Sequence, residues 1–89
     1  MKKSDPWLPS NWELADATAI QALASGEAEP EQQIRALRFI VEGLCRTYDL
    51  SYRPDSERNT VFAEGKRFIG LQIVTITKTN LSTMRNENA

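Results

Sequence analysis

The chain has 89 residues, a formal net charge of −1 at pH 7, one cysteine and no histidine. A single domain of this size buries only about 60–65% of the surface that its unfolded chain exposes, which disfavours a deep active-site cavity. The charge balance argues against a general nucleic-acid-binding protein, which carries a basic excess on one face. The absence of histidine excludes the usual Cys/His zinc sites, and Cys45 alone cannot form an intrachain disulfide.

The N-terminal segment does not resemble a secretory signal. Lys2 and Lys3 are followed by Ser4, Asp5 and Pro6, where a signal peptide would have its apolar region. No apolar run approaches the roughly 20 residues that a membrane-spanning helix needs. We therefore expect a cytoplasmic protein without membrane association, in a reducing compartment that suits a single free cysteine.

Residues 1–9 form a predicted flexible arm, after which the first helix is expected to begin. Ser10 is a candidate helix cap, and Glu13 three residues later completes the pattern of a capping box. Gly26 suits the left-handed residue that often ends a helix. The sequence therefore predicts a first helix from about Ser10 to Ser25, with an alanine-rich apolar face.

Pro30 indicates the first turn of a second helix, because its missing N–H group has no helical partner there, and Glu29 and Glu31 favour the positive helix end. Apolar residues then recur at the three-then-four spacing of a helix seam: Ile34, Leu37, Val41, Leu44 and Tyr48. This periodicity predicts a central core helix, packed between the first and third helices. A loop is expected at 49–56, since Pro54 disfavours helical geometry in the residue before it.

A third helix is predicted from about Glu57 to Ile76. The stripe expected to face the core contains Phe62, Gly65, Ile69, Ile73 and Ile76. A glycine inside a helix costs about 1 kcal/mol relative to alanine, and close packing is the usual compensation. We therefore expect both Gly65 and Gly70 to lie against a neighbouring helix.

Residues 78–89 are nearly all polar and rich in asparagine and threonine, which is typical of a disordered tail. The predicted organisation is thus an N-terminal arm (1–9), a single helical domain (10–77) and a tail (78–89). The predicted fold class is all-α, a small three-helix domain.

Few residues carry catalytic potential. Asp55, Glu57 and Glu64 can in principle supply paired carboxylates for acid–base work or a Mg²⁺ site, but a solvated loop and helix start explain them better. Cys45 has no histidine to activate it as a nucleophile. We predict a non-enzymatic protein with no catalytic residues, cofactor or metal.

Aromatic and cationic residues alternate between positions 46 and 68, and two tryptophans lie near the N-terminus. Tyrosine, tryptophan and arginine are enriched among the residues that dominate protein interfaces. The predicted partner-binding residues are Trp7, Trp12, Tyr52, Arg53, Arg58, Lys66 and Arg67. Two structural alternatives stay open: the tryptophan-bearing arm folds back on the core, or the cations pair with acidic residues of the same interval.

The ten residues 62–71, FAEGKRFIGL, resemble the F-x-E-G-[RK]-R-x-[VI]-G-L signature of a small tailed-phage protein family typified by a Bordetella phage protein. The resemblance covers mainly the third helix and does not extend to 1–9 or 78–89. It implies a phage or prophage origin, a non-enzymatic role and expression in a bacterial cytoplasm. It supplies no catalytic residues to carry over.

The leading hypothesis from the sequence is a phage accessory protein that binds a phage or host protein, either in particle assembly or by occupying a host factor. A virion-associated location and a homodimer are both compatible with it, since a small helical domain gains core by self-association. The alternative is a nucleic-acid-binding packaging or regulatory factor in which Arg58, Lys66 and Arg67 contact phosphates.

Overall fold

The computed structural model describes residues 5–82, which form an all-α domain of three helices. The elements are α1 (Leu14–Ser25), α2 (Pro30–Arg38), a π-helical segment (Phe39–Leu44) that continues α2, and α3 (Glu57–Lys78). The predicted fold class is therefore confirmed. Within the described part of the chain, no helix combines the length and apolar character needed to cross a membrane.

The start of α1 differs from the prediction by a few residues. Glu13 is the N-cap and forms a reciprocal capping box with Asp16. Ser10 instead donates its hydroxyl hydrogen to the Gly43 carbonyl oxygen, at 2.9 Å. The predicted end is confirmed, because Gly26 has a φ of 78° and closes the helix in the left-handed conformation.

The second helix begins as predicted and ends early. Pro30 occupies its first turn, and Glu29 caps it together with Gln32. At Phe39 the helix widens to π-helical hydrogen bonding, and it ends at Leu44, so the predicted continuation to Tyr48 is wrong. The chain reverses through Arg46, whose φ of 49° is left-handed.

The third helix agrees closely with its prediction. The Ser56 hydroxyl accepts a hydrogen bond from the Asn59 backbone N–H at 3.1 Å, which caps the N-terminus. The helix then runs for 22 residues to Lys78. Residues 1–4 of the predicted arm and 83–89 of the predicted tail lie outside the described residues.

The helix formed by α2 and the π segment lies between the other two, as predicted. α1 packs along α2, and α3 packs on the π segment. On the α2 side of the π segment, α2 and the C-terminal part of α3 are separated by a groove of about 300 Å³, which residues of both helices line. The buried apolar core is small and consists of Ala19, Ala36, Val41 and Ala63.

The predicted seam of the second helix is only partly buried. Val41 is 7% exposed, but Ile34 and Leu37 are 59% and 40% exposed, and Leu44 and Tyr48 are also exposed. The seam prediction is therefore wrong for these four residues. The π segment takes Leu44 off the α-helical period, and the helix has ended before Tyr48. Ile34 and Leu37 line the open groove between α2 and α3.

The two helical glycines have different surroundings. Gly70 is buried, and a Cβ atom added there would overlap the Thr47 hydroxyl and lie 3.0 Å from the Cys45 Cβ. Close packing at Gly70 is confirmed, although its neighbour is the segment after the π helix. No atom lies within 4 Å of a Cβ added at Gly65, so close packing within this chain is wrong for Gly65.

α3 also presents a different face to the core than its periodicity predicted. Its buried residues are Ala63 and Gly70, with Ile73 and Val74 partly buried beside them. We call the opposite side the outer face of α3. It consists of Val61, Phe62, Gly65, Phe68, Ile69, Gln72 and Ile76, all of which are exposed.

Candidate partner-binding surface

The N-terminal arm folds back on the first half of α3. Pro6 is completely buried. Its carbonyl oxygen accepts a hydrogen bond from the Lys66 ammonium group at 2.8 Å, and Asp5 accepts one from the Asn59 side chain at 3.2 Å. Residues 5–9 are therefore packed on the domain, while the Trp7 side chain stays about half exposed.

Arg53 is used inside its own loop. Its Nη1 atom donates to the carbonyl oxygens of Leu50 at 2.7 Å and Ser51 at 3.1 Å. Its backbone N–H donates to the Thr60 hydroxyl at 2.7 Å, which fixes the loop to the start of α3. The guanidinium group thus holds the loop in shape, while the neighbouring Tyr52 side chain remains exposed.

Arg46, Arg53 and Lys66 line a small cavity of about 10 Å³ under the arm. A cavity of that size has room for about one water molecule. Burial lowers the pKa of Lys66, and the nearby charges of Arg46 and Arg53 lower it further. Because Lys66 points at Pro6, it contributes little to an outward cationic surface.

The other two predicted cations lie on the surface of α3. Arg67 forms an ion pair with Glu64 at 2.9 Å, which confirms pairing within the domain for these two residues. A hydrogen bond from the Ser51 hydroxyl lowers the pKa of Glu64, and Arg67 lowers it further. Arg58 lies in the first turn of α3 and is exposed. The cationic cluster of the sequence is therefore mostly engaged inside the domain.

Trp12 lies at the mouth of an apolar recess of about 260 Å³, which we call the Trp12 recess. Its lining residues come from the segment before α1, the middle of α1 and the π segment, and Gln21 is the one polar residue among Trp12, Ala17, Ile20, Gln21, Phe39 and Leu44. Trp12 is 63% exposed. The recess therefore combines an apolar floor with a large exposed ring at its edge, which suits an apolar side chain of another protein.

Two sets of polar contacts hold this recess in place. Ser10 bonds the segment before Trp12 to the π segment. Arg35 of α2 donates to Asp16 at 2.9 Å and to Glu13 at 3.1 Å, which ties the start of α1 to α2. The backbone N–H of Glu13 lowers the pKa of Asp16 most, and Arg35 lowers it further.

The structure does not bring all seven predicted residues to one surface. Trp12, which lies two residues before α1, lines the Trp12 recess together with residues of α1 and the π segment. Trp7, Tyr52, Arg53, Arg58, Lys66 and Arg67 do not line it. Trp12 is therefore the one predicted residue that belongs to this recess.

The outer face of α3 is the surface that the sequence reasoning missed. Its large side chains were assigned to the core because they follow a helical period, and the structure leaves them exposed. The signal was available in the sequence: α3 carries apolar residues on two opposite sides, and the side with Ala63 and Gly70 admits closer packing. A small core can bury only one of the two apolar faces of such a helix, so the other face stays exposed.

Among residues 5–82, no group of three or more acidic or cysteine side chains is placed to hold a metal ion. Comparison of the chain with family models, curated proteins and solved structures gives no match.

Proposed function

We propose that this chain is a non-enzymatic phage or prophage accessory protein that acts by binding another protein, either during particle assembly or by occupying a host factor. The observation that supports the proposal is the Trp12 recess, an apolar cavity with an exposed tryptophan at its edge. Large aromatic residues beside an apolar pocket are the usual anchors of protein interfaces.

The recess is fixed before any partner binds. Ser10 bonds the segment before α1 to the π segment at 2.9 Å, and Arg35 bonds the first turn of α1 to α2, which the π segment continues, at 2.9 and 3.1 Å. A rigid recess loses little conformational entropy on binding, which favours affinity. We therefore propose that the recess binds one apolar side chain of the partner, and that the Trp12 ring packs beside that side chain.

The phage lineage rests on the ten residues 62–71 and their resemblance to the tailed-phage family. A cytoplasmic location in the bacterial host, with part of the protein in the virion if its partner is structural, follows from that lineage. Both statements belong to the proposal.

A matched pair of tryptophan variants tests the recess. Tagged wild-type chain, Trp12→Ala and Trp7→Ala are used to capture proteins from phage-infected cells. Trp7→Ala is the control, because Trp7 is also about half exposed but does not line the recess. We expect Trp12→Ala to lose the captured partner and Trp7→Ala to retain it, with unchanged circular dichroism for both. Equal retention by the two variants would contradict the assignment of the recess.

The nucleic-acid alternative has weaker support. Of its three predicted phosphate-binding residues, Lys66 donates to Pro6 and Arg67 pairs with Glu64. Arg58 is exposed at the start of α3 and is therefore the residue that the test has to change. Electrophoretic mobility shift with phage DNA and RNA, using Arg58→Gln as the variant, tests this alternative. Binding that falls steeply with salt and is weakened by Arg58→Gln would favour it over the protein-binding proposal.

A further inference from the structure

The outer face of α3 has the geometry of a helix–helix seam. Its central residues follow a three-then-four spacing: Phe62, Gly65, Ile69, Gln72 and Ile76. Val61 and Phe68 widen the apolar side of this seam to about 120° of the helix circumference. The face extends over about 22 Å, at 1.5 Å per residue. None of its large side chains packs into the small buried core.

Gly65 lies in the middle of this seam. A helical glycine costs stability unless close packing compensates for it, and nothing in the chain itself approaches the Gly65 Cβ position within 4 Å. In a pair of packed helices a glycine lets a side chain of the opposite helix approach the backbone. The seam therefore contains a ready site for a residue from outside the chain.

The exposed area suits a second copy of the same chain. Val61, Phe62, Phe68, Ile69 and Ile76 are each between 49% and 68% exposed. At about 100 Å² each, five such side chains expose roughly 500 Å² of apolar surface, so that two copies would bury roughly 1,000 Å² together. That total meets the size of about 1,000 Å² expected of a specific interface.

We propose that two copies of the chain form a dimer by packing the outer faces of their α3 helices antiparallel across a two-fold axis near Ile69. In this arrangement Ile69 meets its own copy, Phe62 meets Ile76 of the second copy, and Gly65 provides room for Gln72 of the second copy. Antiparallel packing also places opposite ends of the helix dipoles side by side. The dimer uses a different surface from the Trp12 recess, so it leaves that recess open.

Sedimentation equilibrium of the purified full-length chain tests the dimer, together with two lysine variants. The wild type is expected at about twice its 10.1 kDa chain mass. Ile69→Lys is expected to be monomeric with helical circular dichroism retained. Leu14→Lys is the matched control, since Leu14 is an 84% exposed apolar residue on α1, and it is expected to remain dimeric.

A cross-linking variant keeps the test decisive if Ile69→Lys does not fold. In a Cys45→Ala background, Ile69→Cys is expected to form a disulfide-linked dimer under mild oxidation, and Leu14→Cys is not. Phe62→Cys paired with Ile76→Cys in two differently tagged chains is expected to cross-link, which reports the antiparallel direction. Two results would overturn the proposal. One is a wild type that stays monomeric into the millimolar range, and the other is a dimer that Ile69→Lys does not dissociate and that forms none of the expected cross-links.

Discussion

The two glycines of α3 give opposite predictions for the same substitution. In the background of the monomeric Ile69→Lys variant Gly65 is exposed, so Gly65→Ala should stabilise the helix by up to about 1 kcal/mol through its higher helix propensity. Gly70→Ala gains the same propensity but places a methyl group on the Thr47 hydroxyl, which is fully buried. Overpacking of this kind costs about 1–3 kcal/mol.

The Thr47 hydroxyl cannot move away without further cost. It donates to the Val41 carbonyl oxygen at 2.7 Å, and losing that hydrogen bond costs about 1 kcal/mol more. We therefore expect Gly70→Ala to be less stable than Gly65→Ala by about 2–4 kcal/mol, combining these effects. Urea unfolding followed by circular dichroism measures the difference, at two protein concentrations so that any association is separated from folding.

The double variant Gly70→Ala with Thr47→Ala provides the internal control. Removing the Thr47 side chain makes room for the new methyl group, so the double variant should be more stable than the sum of the two single effects predicts. Equal stability of Gly70→Ala and Gly65→Ala, or strictly additive effects in the double variant, would refute the close packing of Gly70 on Thr47.

Three further predictions concern the polar contacts. Arg46→Gly should raise the free energy of unfolding by about 1 kcal/mol in thermal unfolding, because glycine adopts the left-handed φ of 49° without strain. The same change removes a cation beside Lys66, so NMR titration should show a higher pKa for Lys66. Arg35→Lys should destabilise the chain by up to about 1 kcal/mol in urea unfolding, because one ammonium group replaces the guanidinium group that bonds both Asp16 and Glu13. Arg38→Lys is the control and should have little effect, since Arg38 forms only a longer surface ion pair. The pKa values of Glu64 and Asp16 are lowered in the folded chain, so the two carboxylates contribute fully to folding stability above their ordinary pKa values of 4.5 and 3.8. This stabilisation is lost as the pH falls below those values, so the melting temperature should drop there. The drop should be smaller for the double variant Glu64→Gln with Asp16→Asn.

The helices were predictable where local chemistry determines them. Pro30 was predicted in the first turn of α2 and Gly26 at the end of α1, and the structure puts both there. These signals act over three or four residues, so the sequence contains all the information that they need. The predicted helix ends followed from them, and the central position of the second helix was predicted from its apolar periodicity.

The faces were harder to predict, because burial depends on distant residues. Ile34 and Ile69 follow helical periods, yet Ile34 lines the open groove between α2 and α3, Ile69 lies on the outer face of α3, and both are exposed. No local pattern announces a π segment at Phe39. A prediction that assigns every periodic apolar residue to the core therefore overlooks surfaces available to other chains.

The candidate site was predictable in part. Trp12 was identified as an interface residue from its type and position, and it does lie at an apolar recess. Arg53 and Lys66 were identified on the same grounds, but the structure directs their charges to backbone oxygens of the loop and the arm. Such contacts join residues up to 60 positions apart, which a linear pattern does not show.

The salt dependence of the affinity separates a protein partner held by apolar contacts from a nucleic acid held by its phosphates. The partner captured from infected cells is purified, treated with nuclease and titrated against the wild-type chain at low and high salt. The proposal predicts an affinity that changes little with salt and is lost in Trp12→Ala. An affinity that falls by orders of magnitude with salt, or binding that nuclease treatment abolishes, would contradict it, because both are the marks of binding through nucleic-acid phosphates.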